Sequence, residues 1–577
     1  MGIGNSSARW AGLAAVGLVV IGVLRIVDTY HDFNQAYDEP AHIACGMEWL
    51  DKGTFSMEPQ HPPLPRVMSA LGPYLAGLRL GEVGFVGGDK ANGYDFYGAG
   101  NQILCARGQY QRNLTLARLG TLPFFAFSAW ITFVWARSLL GDWAAVVAVF
   151  LLTTLPVVLG YSSLAYVDPA LMAMFPAALL ALVRWLEAPG WGRSVVLGVA
   201  VAGMALANAP WMVFFPPCVA AILVCWWWSR RGALAGLRGK DLADKSVRTT
   251  RTLVVVLVVA WFVLWGGYRF SVERLDRAFE NPGKPIEHLH LPSPVKTLAL
   301  KVIAFNPMVP APAFFQGVGR AIGENSKLYP AYLFGKVKRG GWWYFYFFML
   351  VFKTPPGFLV LAVAGLGWGL KRFWQGKDWR VAAPAVCVVV ILLVGTTIKV
   401  NLGVRTILFV YPLLAILGAV ACKEIWNLQG QWPRVAVLPI LLLTQLGVYG
   451  AWIHPNYLTY TSSFAGSAPD YSLVLDADFD AGQNVLRLAD VLRERNVQHL
   501  KLRLYTSADL SQMGLPPFEV LAPYEKATGW VAVSVHNLRT GEGPWYPARA
   551  DGYAWLNAYP AVSSPVEKTI RLVFVPE

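Results

Sequence analysis

The chain has 577 residues, 55% of them hydrophobic and only 15% charged. Soluble globular domains carry about a quarter of their residues as Asp, Glu, Lys or Arg, so this composition excludes an ordinary soluble protein and makes a bilayer the expected solvent. The net charge of +14 would suit nucleic acid. However, Arg230, Arg231, Arg238, Lys240, Lys245, Arg248 and Arg251 crowd between two apolar runs, as in a cytoplasmic loop, and no aromatic-interleaved soluble domain accompanies them. Nucleic acid is excluded as a partner.

A spanning helix needs roughly 20 mostly apolar residues. In chain order, the sequence predicts spans near 10–27, 114–137, 143–161, 169–186, 194–209, 211–228, 252–268, 343–370, 381–398, 406–422 and 435–452. The first follows Arg9 and has no small-residue cleavage site, so it reads as an uncleaved span. The run from Trp342 to Leu370 is interrupted by Lys353-Thr354-Pro355-Pro356 and reads either as one kinked helix or, as the Trp and Tyr at its start favour, as an interfacial helix (Trp342–Phe352) followed by a span.

Basic residues in the short loops place the N-terminus and those loops in the cytoplasm. An odd count of spans puts the C-terminus outside. A membrane module at 1–452 and a soluble α/β domain at 453–577 follow, together with external loops at about 28–113 and 269–342. The expected class is a polytopic α-helical protein of about eleven spans with an extracytoplasmic α/β domain, in a cytoplasmic (inner) membrane. In the tail, Leu500–Tyr505, Gly529–Val535 and Ile570–Val575 read as strands, and Ala481–Arg495 puts Val485, Leu488, Ala489 and Leu492 at helical spacing. Cys218, Cys225, Cys387 and Cys422 fall in apolar spans. Cys45 and Cys105 share the first external loop, where a disulfide is open to them.

Tyr37-Asp38-Glu39-Pro40 follows the first span. Its two carboxylates suit proton abstraction or cation binding, while Pro40 equally makes Asp38 a helix N-cap. Asp38 and His42 are spaced for a metal, but further ligands are wanting. Gln60-His61-Pro62-Pro63-Leu64-Pro65 is a stiff extended segment. Asp168 stands at the outer end of a span. Asp38, Glu39, His61 and Asp168 all map to one side of the membrane, at the depth of a lipid phosphate. In the tail, Asp476, Asp478 and Asp480 form either a cation-binding cluster or a solvated acidic turn.

These residues resemble GT-C glycosyltransferases of the protein O-mannosyltransferase and aminoarabinose-transferase type. Gly341-Trp342-Trp343-Tyr344, Lys353-Thr354-Pro355, Asn401-Leu402-Gly403-Val404-Arg405, His454-Pro455-Asn456-Tyr457-Leu458 and Asp476–Gln483 resemble a bacterial branch of phospholipid-carrier-dependent glycosyltransferases. The resemblance implies a polyprenyl-phosphate sugar as donor, inversion at the anomeric carbon, and an acceptor that is a protein, lipid or glycan. It makes Asp38 the base, Glu39 an orienting group and Asp168 a support of the same pocket. His61 falls on the substrate side, and Lys353 and Arg405, with Arg339 behind them, hold the leaving phosphate. No cofactor is implied beyond a divalent cation as an option. The chain departs from that branch in having no basic residue at Asn208-Ala209, Thr406 after Arg405, and Ala481 where the branch has Trp. The competing classes are a transporter or flippase, and a non-catalytic assembly protein on the same scaffold.

Overall fold

The computed structural model describes residues 3–84, 94–235, 239–279, 293–325, 327–375, 378–430, 432–465, 473–475, 478–540, 551–564, 566 and 568–577. Arg238, His288, His290, Asp476 and Ala477 lie outside the described residues.

Proline sets the start of many helices. Pro40, Pro63, Pro123, Pro156, Pro169, Pro312 and Pro356 each stand in a first turn, where the missing N–H would have no intrahelical partner. Among the described residues, seven helices are long and apolar enough to cross a membrane, or eight if the pair Asp142–Thr153 and Pro156–Ser162, bent by 65°, is one span. By this measure the expected count of about eleven is not reached. The runs near 194–209 and 381–398 form the shorter apolar helices Trp191–Ala205 and Trp379–Gly395. The run near 143–161 breaks ahead of Pro156, because proline removes a helical hydrogen bond and restricts the residue before it. The run near 343–370 divides in the same way into Phe345–Lys353 and Pro356–Trp374, as its Thr354-Pro355 step predicts.

Burial separates the centre of the bundle from its rim. The helix Asp168–Glu187 has 89% of its apolar window buried, against 22% for Ser7–His31 and 17% for Val247–Gly267. Around it pack the helices Leu122–Leu140, Trp211–Ala235 and Val410–Asn427, in one continuous apolar core. Asp168 therefore stands at the end of the central helix, and its neighbours converge on it.

The segment after the first span folds as four short helices, Glu39–Met47, Pro63–Leu75, Phe96–Cys105 and Tyr110–Leu119, over a small core of their own. Cys45 and Cys105 are free thiols, so the disulfide open to them in the sequence is not formed. In the 269–342 segment two antiparallel ribbons, Val272–Arg274 with Met308–Pro310 and Pro330–Leu333 with Lys336–Arg339, flank the helix Pro312–Glu324.

The tail carries a four-stranded sheet in the order Phe518–Val520, Leu500–Arg503, Gly529–Ser534, Ile570–Val575, with the last pair antiparallel and the others parallel. The helix Val485–Glu494 buries Val485, Leu488, Ala489 and Leu492, the residues its spacing singles out.

Candidate functional site

Asp38 precedes the helix Glu39–Met47 but makes no side-chain cap bond to it. Its carboxylate instead accepts a hydrogen bond from Arg405 Nη1 at 2.8 Å, across 367 residues of sequence. Arg405 lies on the short turn Val404–Ile407, just ahead of the helix Val410–Asn427, with its guanidinium 5.3 Å from the centroid of the Tyr166 ring. Tyr97 donates to the other Asp38 oxygen at 3.5 Å. Burial by itself would disfavour the Arg405 charge, but the Asp38 and Asp168 carboxylates hold its pKa well above the ordinary arginine value.

The pair opens on a cavity of about 330 Å³ that Asp38, His61, Asp168 and Arg405 all line. Four of the seven residues expected at the site are thus together. Apolar side chains from the bundle (Val167, Met212, Val213, Phe214) and from the facing wall (Ile322, Ile398, Val400, Leu402) make up much of the remaining lining. A paired cation on the wall of a largely apolar cavity, which Glu324, Asn325 and Thr397 also line, suits an amphipathic ligand. Two departures from the family pattern line the same space. Asn208 donates to Asp168 Oδ1 at 3.1 Å, and Thr406 follows Arg405.

His61 belongs to a buried network that sequence reasoning missed. Its Nδ1 lies 2.9 Å from Glu58 Oε2, and Glu58 is ion-paired to Arg66. Arg66 also donates to the Glu58 carbonyl at 2.7 Å and to His42 Nδ1 at 3.3 Å. Because arginine only donates, His42 Nδ1 is the acceptor, and the neutral ring carries its proton on Nε2. Burial, Arg66 and His61 push the His42 pKa well below the ordinary value, consistent with that tautomer. Burial would raise Glu58, but Arg66 and His61 hold its carboxyl well below the usual range. His42 and His61 both line the cavity.

The other three expected residues lie elsewhere. Glu39 is fully buried and takes two hydrogen bonds from Arg118, at 2.9 and 2.8 Å, with the backbone N–H groups of Ala36 and Ala165 filling the rest of its lone pairs. It lies outside the cavity lining. Lys353 is also buried, and its ammonium donates to the carbonyls of Leu458, Tyr460 and Asp478 at 2.7, 2.6 and 2.6 Å. Three carbonyls use the three donors of an ammonium, so Lys353 does not face the phosphate position expected of it. Arg339 ends an exposed ribbon strand outside the cavity lining.

Nor do Asp478 and Asp480 converge on a cation position. Asp478 is buried, with Oδ2 accepting from Val404 N at 2.7 Å and Oδ1 from Tyr161 Oη at 2.5 Å. Asp480 turns onto the N–H groups of Gly482 and His536 at 3.2 and 3.4 Å, and burial raises its pKa to about 7. Both are buried, so the solvated acidic turn is not formed by them either. Among the described residues, no three His, Cys, Asp or Glu side chains are grouped to hold a metal ion.

Arg118 has a legible signal. It is a charge inside the run expected to span at 114–137, and a charge in such a place needs a partner. Arg66 carries no comparable mark, because its helix is amphipathic.

Neither a protein-family model nor a curated protein sequence matches the chain. Among solved structures it is similar to ArnT from Cupriavidus metallidurans bound to undecaprenyl phosphate, at 11% identity over 97% of either chain and a TM-score of 0.47. It is also similar to the Archaeoglobus fulgidus oligosaccharyltransferase in complex with Zn and sulfate, at 12% identity over 92% of this chain and 70% of that one, with a TM-score of 0.43. The S. cerevisiae protein O-mannosyltransferase Pmt1-Pmt2 complex bound to the sugar donor matches 49% of this chain and 37% of that one, at 14% identity and a TM-score of 0.34.

Proposed function

We propose that the chain transfers a sugar from a polyprenyl-phosphate donor to an acceptor hydroxyl at the outer face of a cytoplasmic membrane, with inversion. The N-terminus is then cytoplasmic and the tail extracytoplasmic. The observation that carries this reading is the Asp38–Arg405 pair on the wall of a largely apolar cavity that Asp168 and His61 also line.

The chemistry follows from that pair. Among the described residues Arg405 hydrogen-bonds to Asp38 alone, which leaves guanidinium N–H groups for an anion. A lipid phosphate placed there takes up the guanidinium, and the Asp38 carboxylate is left facing the acceptor. The acceptor oxygen bonds to the anomeric carbon as the bond from that carbon to the phosphate oxygen breaks on the opposite face. Asp38 accepts the hydroxyl proton, and the polyprenyl phosphate departs as an anion held by Arg405. Asp168, fixed by Asn208, orients the sugar. Glu39 keeps no role at the reacting atoms in this scheme, because Arg118 and two backbone N–H groups already occupy it.

The test is to supply membranes carrying the protein with polyprenyl-phosphate sugars labelled in the sugar, and to follow label into envelope protein, lipid and glycan fractions. Wild type is expected to move label into one of them. Asp38→Asn is expected to slow that transfer by roughly 10²–10⁴-fold, the usual worth of a positioned base. Transfer undiminished in Asp38→Asn would refute the assignment.

A further inference from the structure

The same five tail residues touch both loops that meet at the cavity. Asp478 Oδ2 accepts from the N–H of Val404, the residue before Arg405, at 2.7 Å. Three positions on, the Ala481 carbonyl accepts from the N–H of Tyr37, the residue before Asp38, at 2.8 Å. The Gly482 carbonyl accepts from Asn34 Nδ2 at 2.8 Å, and Asn34 Oδ1 in turn receives Val485 N at 2.7 Å.

The segment is itself held rigidly. Lys353 donates to the Asp478 carbonyl at 2.6 Å. The Gln483 side chain closes the turn, accepting from Ala481 N at 2.8 Å and donating to the Phe479 carbonyl at 3.1 Å. Behind Tyr37, Tyr505 stacks on its ring with centroids 4.8 Å apart, and Ser507 donates to its carbonyl at 2.6 Å. The approach on the Arg405 side leaves no room to spare. Gly403 has φ +87°, and a Cβ there would lie 2.2 Å from Asp478 Oδ2. Only glycine fits both the left-handed backbone and the contact.

We infer that Asp478–Gly482 is the positioning element of the Asp38–Arg405 pair, with Asp478 setting Arg405 through the Val404 N–H and the Ala481 and Gly482 carbonyls setting Asp38 through Tyr37 and Asn34. The inference rests on the proposed function for what the pair does, but not for how it is held. Asp478 touches no reacting atom. Its part is to fix a turn whose φ, ψ would otherwise be free, and whose arginine would then lose its register with Asp38. The tail domain thereby belongs to the framework of the site.

Two variants test it in the full-length protein in detergent. Asp478→Ala removes the carboxylate and with it the acceptor of the Val404 N–H, whereas an amide could still turn its oxygen to that N–H and its N–H₂ to Tyr161 Oη. Gly403→Ala leaves every tail residue intact and drives the same contact apart. In hydrogen-exchange mass spectrometry, both are expected to speed exchange of residues 401–407 at least tenfold, while the sheet strands Leu500–Arg503 and Gly529–Ser534 stay protected. The exposed Asp490→Asn is the control and is expected to change neither. In the transfer assay, both variants are expected to lower kcat ten- to a hundredfold with KM within about threefold, since a displacement on the order of 1 Å at reacting groups costs about that much. The double variant is expected to lose no more than the worse single one, because both cut one contact. Unchanged exchange at 401–407 in both variants, or additive losses of kcat, would overturn the inference. If wild type moves no label, the proposed function fails, yet the exchange experiment still decides how the pair is held. If Asp478→Ala does not fold, Gly403→Ala alone decides the same question.

Discussion

Asp38 and Glu39 are neighbours in the chain, yet each answers its own arginine in a different kind of place. Asp38 is 27% exposed and meets Arg405 on the wall of a cavity, with guanidinium donors left over. Glu39 is fully buried and meets Arg118 in a two-bonded pair whose remaining lone pairs are filled by backbone N–H groups. The first arrangement can exchange one partner for another. The second cannot, since separating either ion strands a charge away from water. Two adjacent acids thus differ in whether they can change partner according to what surrounds them, not according to residue type.

That contrast can be broken by stability measurements. Glu39→Gln leaves Arg118 buried without its counter-ion and is expected to cost about 3–5 kcal/mol, read as a large fall in Tm or loss of folded yield. Asp38→Asn leaves Arg405, 17% exposed on the cavity wall, with the Asp168 carboxylate still acting on it, and is expected to cost clearly less than Glu39→Gln. Equal losses for the two would erase the distinction.

A second buried carboxyl sharpens it. Among the described residues Asp480 has backbone N–H groups for partners and no counter-ion, and its pKa rises from 3.8 to about 7. The folded state therefore binds a proton that the unfolded state has released, and wild-type stability falls as pH rises through the window from about 4 to about 7. Asp480→Asn removes that dependence. Its stability relative to wild type, followed by thermal melts, is expected to grow across the window by roughly 4 kcal/mol at most and to level off above it. His536, whose pKa burial lowers to about 3, is present in both proteins and cancels in the difference. The smallest effect concerns the segment that holds Asp38. With Cys45 and Cys105 both free, a reductant is expected to leave Tm unchanged.

Much of this architecture is legible in the sequence, and the limits have physical causes. The strands and the amphipathic helix of the tail follow from local periodicity, and the split at Thr354-Pro355 follows from proline chemistry. Asp168 and Arg405 can be found because each stands at the end of an apolar run, and such ends meet at one face of a bundle, whereas Asp38 and His61 lie in the first external loop and are marked by the motifs around them. Lys353 misleads because a buried ammonium can be satisfied by backbone carbonyls, which leave no mark in the sequence. Glu39 misleads because adjacency suggests a shared role, whereas a helix start turns consecutive side chains to different sides. Asp478 reads as part of a charged cluster. Its partners, Val404 N and Tyr161, are distant in the chain and carry no complementary charge to betray them.

The proposed capture of a lipid carrier's phosphate by Arg405 in this cavity is the step on which the rest depends. It is measured by titrating undecaprenyl phosphate, without any sugar, into the detergent-solubilised protein and into Arg405→Met, following binding by calorimetry. Saturable binding by wild type is expected, with a loss of at least tenfold in affinity for Arg405→Met, as when a charge-assisted pair is removed. Equal affinity in the two proteins would contradict it.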